Sequence, residues 1–243
     1  TLFDAGSGDI NFNGTINSQS LSNYNLTANS TGNVAFNNTV GVSQNLGSIT
    51  TDAGGTTTIN TTDIRTFLDQ TYNDNITLSS DSTIASTSGG GTLTFNGTVN
   101  GSQNLTTSNS ATTTFAGAVG NTTALSSFTS LAAGLLNIDG GTFRTSGAQT
   151  FNNTVVIGAS TIMTGVNLTF NSFLRSKAAT NQALTINDSG TTTFNNVVGG
   201  VAFSSLTTDA AGSTVINTSG ITTTGNLTLN DAVTLGTNTT LTS

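Results

Sequence analysis

TTTFNNVVGG, residues Thr191–Gly200, is the third writing of one phrase: TTTFAGAVGN occupies Thr112–Asn121 and NVAFNNTVGV occupies Asn33–Val42. The three phenylalanines are Phe36, Phe115 and Phe194, and the two gaps are equal, 115 − 36 = 79 and 194 − 115 = 79. As a strand, the phrase has a period of two, which puts Thr192 and Phe194 on one side and Thr191 and Thr193 on the other. With Phe inward, the outer side becomes a Thr-x-Thr row. The Asn that follows the aromatic turns the chain, because Asn, like Gly, tolerates positive φ.

The same shift aligns much more than the phrase. QTYNDNITLSSDSTI (Gln70–Ile84) lies over QTFNNTVVIGASTIM (Gln149–Met163), and DIRT (Asp63–Thr66) lies over TFRT (Thr142–Thr145). At about twice the shift, TTDAGGTTTINT (Thr50–Thr61) returns as TTDAAGSTVINT (Thr207–Thr218). The copies run over 1–35 (partial), 36–114, 115–193 and 194–243 (partial). A shorter beat recurs inside each: an apolar residue, Asn, a small turn residue, Thr, then Val or Ile. Phe12, Phe36, Ile59, Leu78, Phe95 and Phe115 follow one another at gaps of 24, 23, 19, 17 and 20. The expected coil is therefore about 20 residues, with four coils to each 79-residue super-repeat.

A beat of that length, with short strands, Asn and Gly turns and no helix, describes a β-solenoid. One coil cannot bury its own apolar side, whereas stacked coils bury a continuous column. The expected fold is all-β: a single continuous parallel β-helix over 1–243, right-handed as parallel crossovers are. Twelve or so coils at ~4.8 Å each would build it. Its core should contain Phe36, Ile59, Phe95, Phe115, Phe170, Phe194 and Ile216, its paired residues should lie about 20 apart, and its Asn should stack into ladders along the axis.

Composition removes whole classes. The 243 residues include four basic and eleven acidic side chains, a net charge of −7, and no His, Cys, Pro or Trp; every acid is Asp. Without Cys there is neither a disulfide framework nor a thiolate metal site. Without a basic patch, nucleic acid and anionic membranes are poor partners. No apolar run approaches the ~20 residues of a membrane span. Strong helix formers are nearly missing, while Thr, Val, Ile and Phe suit pleated, half-buried strands. The chain shows no signal peptide and begins and ends inside its own pattern, so it reads as a slice of a longer protein.

Polysaccharide lyases and hydrolases also use β-helices, but their chemistry needs clustered carboxylates, or carboxylates beside Arg, Lys or His. Here the Asp fall singly, and Asp52, Asp139 and Asp209 sit in Gly-containing turns that explain them. No catalytic, cofactor-binding or metal-binding residue is assigned, no cofactor is expected, and the chain is not expected to be an enzyme. A calcium ladder would need Asp at a fixed place in every coil. Arg65 and Arg144 are 79 apart, which predicts one side of the rod, four coils apart. They serve there as solvated arginines copied with the repeat or as cationic contacts for a glycan. Thr56/Thr58, Thr92/Thr94, Thr112/Thr114, Thr191/Thr193 and Thr222/Thr224 offer a flat Thr array of the ice-binding kind, interrupted at Asn33/Ala35, Ala148/Thr150 and Ser213/Val215. The Asn-x-Ser/Thr triplets, for example at Asn13, Asn37, Asn96 and Asn152, follow from the turn pattern.

The beat, the Thr/Asn/Gly/Ser-rich strands, the missing Cys and phrases such as TFNGTVNGSQNLT (Thr94–Thr106) resemble the passenger region of filamentous-haemagglutinin-like bacterial adhesins, including autotransporters and two-partner-secretion exoproteins. The resemblance spans essentially the whole chain, and its motifs encode coil geometry and no binding site. It implies a right-handed parallel β-helix, export across an outer membrane to the cell surface or medium, and adhesion or fibre formation. The implied role is a structural or adhesive stalk segment whose partners are neighbouring coils, identical subunits in a fibre or matrix, or host and environmental glycans. The alternatives are a glycan-binding face and an ice-binding Thr array.

Overall fold

The computed structural model describes residues 1–131 and 134–243, with 31 strands, all paired in parallel, and no helix among the described residues. The strands wind into about 11 coils of about 22 residues, a β-solenoid. Each coil lays one short extended stretch on each of three faces. Face one holds 12 strands, from Leu2–Asp4 to Thr240–Thr242. Face two holds two five-stranded sheets, from Ile10–Phe12 to Val99–Asn100 and from Thr142–Arg144 to Leu227–Leu229. Bridges from Val99 to Val119 and from Val119 to Phe143 join them. Face three holds nine strands, from Asp63–Thr66 to Ala232–Leu235, and the bridges Ile16–Val40 and Val40–Ile64 carry it back to the first coil. Twelve strands stacked at ~4.8 Å make a rod about 53 Å long.

Within each strand the alternation is as the sequence predicts. Thr192 and Phe194 are buried and Thr191 and Thr193 half-buried, and all seven expected core residues are buried. Paired residues lie between 19 apart (Leu135–Thr154) and 25 apart (Leu2–Thr27). The mean coil exceeds 20 because corner segments such as 17–25 and 41–48 add residues between faces.

The super-repeat does not contain four coils. Phe36 is on face two, Phe115 on face one and Phe194 on face three. From Phe36 the column rises through Ile59 and Leu78, and the third coil up is reached at the strand Val99–Asn100. Two further faces lead to Phe115, so one super-repeat winds three and two-thirds turns. The step from Leu78 to Phe95, the shortest in the beat, crosses two faces, not three. Each copy is thus displaced by one face from the copy before it. For the same reason the seven core residues form three columns: Phe36 and Ile59; Phe95 and Phe115; Phe170, Phe194 and Ile216.

The displacement sorts the aromatics into three spines. Phe12 stacks on Phe36 on face two at 5.4 Å between ring centroids. Tyr72, Phe95 and Phe115 stack on face one at 5.5 and 4.7 Å. Phe151, Phe170 and Phe194 stack on face three at 4.9 and 5.5 Å. Between the last two spines the rings meet edge to face: Phe115 and Phe128 both contact Phe143, at 5.5 and 4.9 Å, and Phe143 contacts Phe151 at 5.8 Å. Each such pair adds about 0.5–1.5 kcal/mol beyond the area it buries. The Asn after every spine residue but Phe115, which Ala116 follows, forms the expected ladder. Asn37 donates to Asn13 and Asn60 to Asn37; Asn96 donates to Asn73; Asn171, Asn195 and Asn217 each donate to the Asn one coil back.

One copied network differs by a single atom. The buried Gln70 amide donates to the Thr66 hydroxyl and the Ala85 carbonyl, and its Oε1 accepts from the Tyr72 hydroxyl at 2.7 Å. One super-repeat further on, Gln149 donates to Thr145 and to the Thr164 carbonyl. Phe151 stands where Tyr72 stood, and the Gln149 Oε1 is buried without a partner. An unmatched buried acceptor costs about 1–3 kcal/mol. Phe151→Tyr should therefore raise the denaturant midpoint, and Tyr72→Phe should lower it by an amount equivalent to about 1–3 kcal/mol. Equal midpoints for all three proteins would contradict the network.

Gly41, Gly120 and Gly199, spaced by the same super-repeat, have φ of 72°, 70° and 82°. A Cβ at each would press on the carbonyl oxygen of Arg65, Arg144 or Thr222 in the next coil. Gly120→Ala combines left-handed backbone strain of about 1–2 kcal/mol with that clash. Thermal melts should show it to be more damaging than Gly14→Ala, where the space is open.

Candidate binding surface

The stacking that builds the core also aligns the outward residues. On face three the register superposes Thr83, Thr106, Thr129, Thr150, Thr169 and Thr193 in successive coils, followed by Val215 and Thr234. On face one it superposes Thr27, Thr50, Thr71, Thr94 and Thr114, followed by Asn137, Val156 and Arg175. The Thr in both ranks are β-branched, which suits an outward strand position. Their hydroxyls repeat at ~4.8 Å along the axis.

The Thr-x-Thr pairs seen in the sequence do not gather into one array. Thr56/Thr58 is on face two; Thr92/Thr94, Thr112/Thr114 and Thr222/Thr224 are on face one; Thr191/Thr193 is on face three. Beside the long Thr rank of face three, the flanking rank carries Asn104 and Ser127, then Thr191 and Ser213. A regular lattice of paired threonines is therefore not formed.

Arg65 and Arg144 do not share a side either. Arg65 is on face three and Arg144 on face two, because the unit between them stops one face short of four turns. The Arg65 guanidinium is held by Asp63 on its own strand, with Nη2 to Oδ1 at 2.8 Å. Arg65, Ala85, Ser108 and Leu131 stack in one outward column. The two small residues between the two large ones leave a groove of ≈ 400 Å³, with Thr83, Thr87 and Ser110 also on its walls. Hydroxyls, one paired guanidinium and one Leu side chain can hold a polar ring by hydrogen bonds and contact. They supply no acid–base pair.

The buried carboxylates are structural. Asp188 accepts from the backbone N–H of Asn167, Leu168 and Gly190 and from the Thr192 hydroxyl, at 2.8–2.9 Å, which uses its lone pairs within one corner. Asp74 accepts from the Gly55 N–H at 3.0 Å and the Thr57 hydroxyl at 3.1 Å. Burial pushes its carboxyl above the ordinary value, and the charge of Asp52 adds to this; the Gly55 and Thr57 hydrogen bonds pull the other way. Burial likewise raises the Tyr72 phenol, which stays a donor. Among the described residues, no group of three or more His, Cys, Asp or Glu side chains is placed to hold a metal ion. Single members of the Thr ranks, Thr94, Thr114 and Thr193, were visible in the sequence as outward residues, but the continuous ranks and the Arg65 groove were not, because their members come from different coils at unequal spacings.

No protein-family model, no curated protein and no solved structure matches the chain.

Asp74 sets a pH test. Its folded pKa is raised, so between the ordinary value of 3.8 and the folded value the native state holds a proton that the unfolded chain has lost. Stability from this group falls as pH rises through that window, and the penalty persists at neutral pH. Asn153 occupies the equivalent buried place in the next copy of the super-repeat, so an amide has room there, although its Oδ1 lacks a partner because Leu136 stands where Thr57 stood. Asp74→Asn should gain stability relative to the native chain as pH is raised from about 3 to 7. Urea melts showing a constant difference across that range would contradict the assignment.

Proposed function

We propose that the chain is a structural and adhesive stalk or fibre segment of a secreted or cell-surface bacterial protein, continued by further coils of the same chain or by identical subunits. The observation that carries this reading is what the super-repeat preserves. Each copy adds the same rise but presents its surface one face away from the last. Length is therefore conserved by copying, whereas the direction of any surface feature is not. A protein selected for one binding face would keep its copies on that face. The continuous apolar core, the uncharged Thr ranks and the resemblance to adhesin passenger regions support the same role.

The Arg65 groove favours a second reading, a glycan contact on face three, which a glycan array would show as hits lost in Arg65→Ala. The stalk reading is tested by deleting residues 115–193. The particle should remain a rod, shortened by three and two-thirds coils, about 18 Å, in electron micrographs. Attachment by the parent protein should decline gradually as units are removed. Abrupt loss on removing one particular unit would overturn the stalk reading in favour of a discrete site.

A further inference from the structure

With the terminal strands set aside, every exposed large apolar side chain among the described residues except Ile162 lies on or beside one corner of the rod, where face three turns into face one. Leu21 and Tyr24 project there from the first coil, Val42 from the second, and Phe67 and Leu68 from the third. They stack: the Gly47 N–H donates to the Tyr24 carbonyl and the Leu68 N–H to the Gly47 carbonyl, so Tyr24 and Leu68 flank a residue without a side chain. Farther along, Leu131 closes a face-three strand, Leu135 opens a face-one strand, and Phe173 stands at the same corner. Leu21 is 97 % exposed and has φ of 64°. A leucine held fully in solvent in the left-handed region is doubly unfavourable for an isolated rod.

The corner is also nearly free of charge. Across its segments 17–25, 41–48, 67–69, 87–92, 109–111, 152–153 and 171–173, the one charged residue is Asp69, whose carboxylate is taken by the N–H and hydroxyl of Thr92. Two arginines border it: Arg65 in the column of Leu131, paired with Asp63, and Arg175 just past Phe173. The whole chain carries −7, so two copies repel one another over most approaches. At this corner charge is sparse and the exposed large apolar side chains gather, in coils one to three, six and eight, with polar and glycine-rich segments between them. From the first coil to the eighth the strip is roughly 34 Å long. At a width of roughly 15 Å it would bury about 500 Å² on each copy, about 1,000 Å² in all, which meets the lower bound for a specific interface.

We propose that this corner is a lateral seam at which two copies of the rod pair side by side, apolar ridge against apolar ridge. The pairing goes beyond the stalk reading and needs only the rod and its corner, so it can fail while the stalk reading stands. The test is sedimentation equilibrium of the full chain, of Leu21→Ser/Phe67→Ser/Leu68→Ser, and of Ile162→Ser as an exposed apolar control on face two. The native chain and the Ile162 variant should sediment as a concentration-dependent dimer. The triple variant should dimerise at least about tenfold more weakly, with unchanged circular dichroism and melting. A native chain that stays monomeric, or a triple variant that pairs as well as the native chain, overturns the proposal. So does a monomer that binds neutral phosphatidylcholine vesicles or a neutral polysaccharide through the same three residues, since the ridge would then serve that partner.

Discussion

The backbone ladder between coils governs everything else in this molecule. Among the described residues no strand pairs with its neighbour in sequence; the N–H and C=O groups of one coil are met by groups about 22 residues away. Unpaired buried backbone groups are too costly to leave, so each coil dictates where the next must run. The side chains inherit that alignment, inward and outward alike. This is why Asn stacks on Asn and ring on ring. It is also why Gly41 and Gly120 stay bare where the carbonyl of a neighbouring coil comes closest.

The aromatic spines show how the ladder tolerates a copy that does not close on itself. A unit of three and two-thirds turns cannot continue a spine on its own face. Phe128 and Phe143 occupy the crossing and turn their rings edge-on, so that the face-one stack ends against the face-three stack. Interiors this densely packed feel the loss of single methylene groups. The crossing is thus the part of the core where a truncated ring has fewest ways to be replaced by a neighbour.

Much of this is legible in residues. Alternation in TTTF places Phe194 and Thr192 inside, and the Asn after Phe36, Phe95, Phe151, Phe170 and Phe194 announces both the turn and the ladder. The spacing misleads at Leu78. The residue above it in its column is in the glycine-containing segment after Val99, whose Gly101 packs on the Leu78 backbone. With no large apolar residue to mark the column, the beat passes to the next one in sequence, Phe95, which belongs to another face. Two long faces with a loop span nearly as many residues as three short ones, so spacing does not separate them. Everything that depends on azimuth fails with that step: the shared side for Arg65 and Arg144, and the single Thr array. The core is robust to it, since inward residues point to the same axis from any face. The outward ranks and the apolar corner are not, because surface neighbours are defined only once each coil has its phase.

The same ladder has a mechanical side. A coil of about 22 residues adds only ~4.8 Å to the axis, yet pulled straight it spans roughly 75 Å. Tension along the rod loads the hydrogen bonds between coils at its ends, one coil at a time, and does not shear the whole stack together. Each coil that peels away lengthens the tether about fifteenfold over the axial space it gave up, and the coil beneath it is left intact as the next to yield. Under load, such a rod lengthens in steps and dissipates work before it breaks.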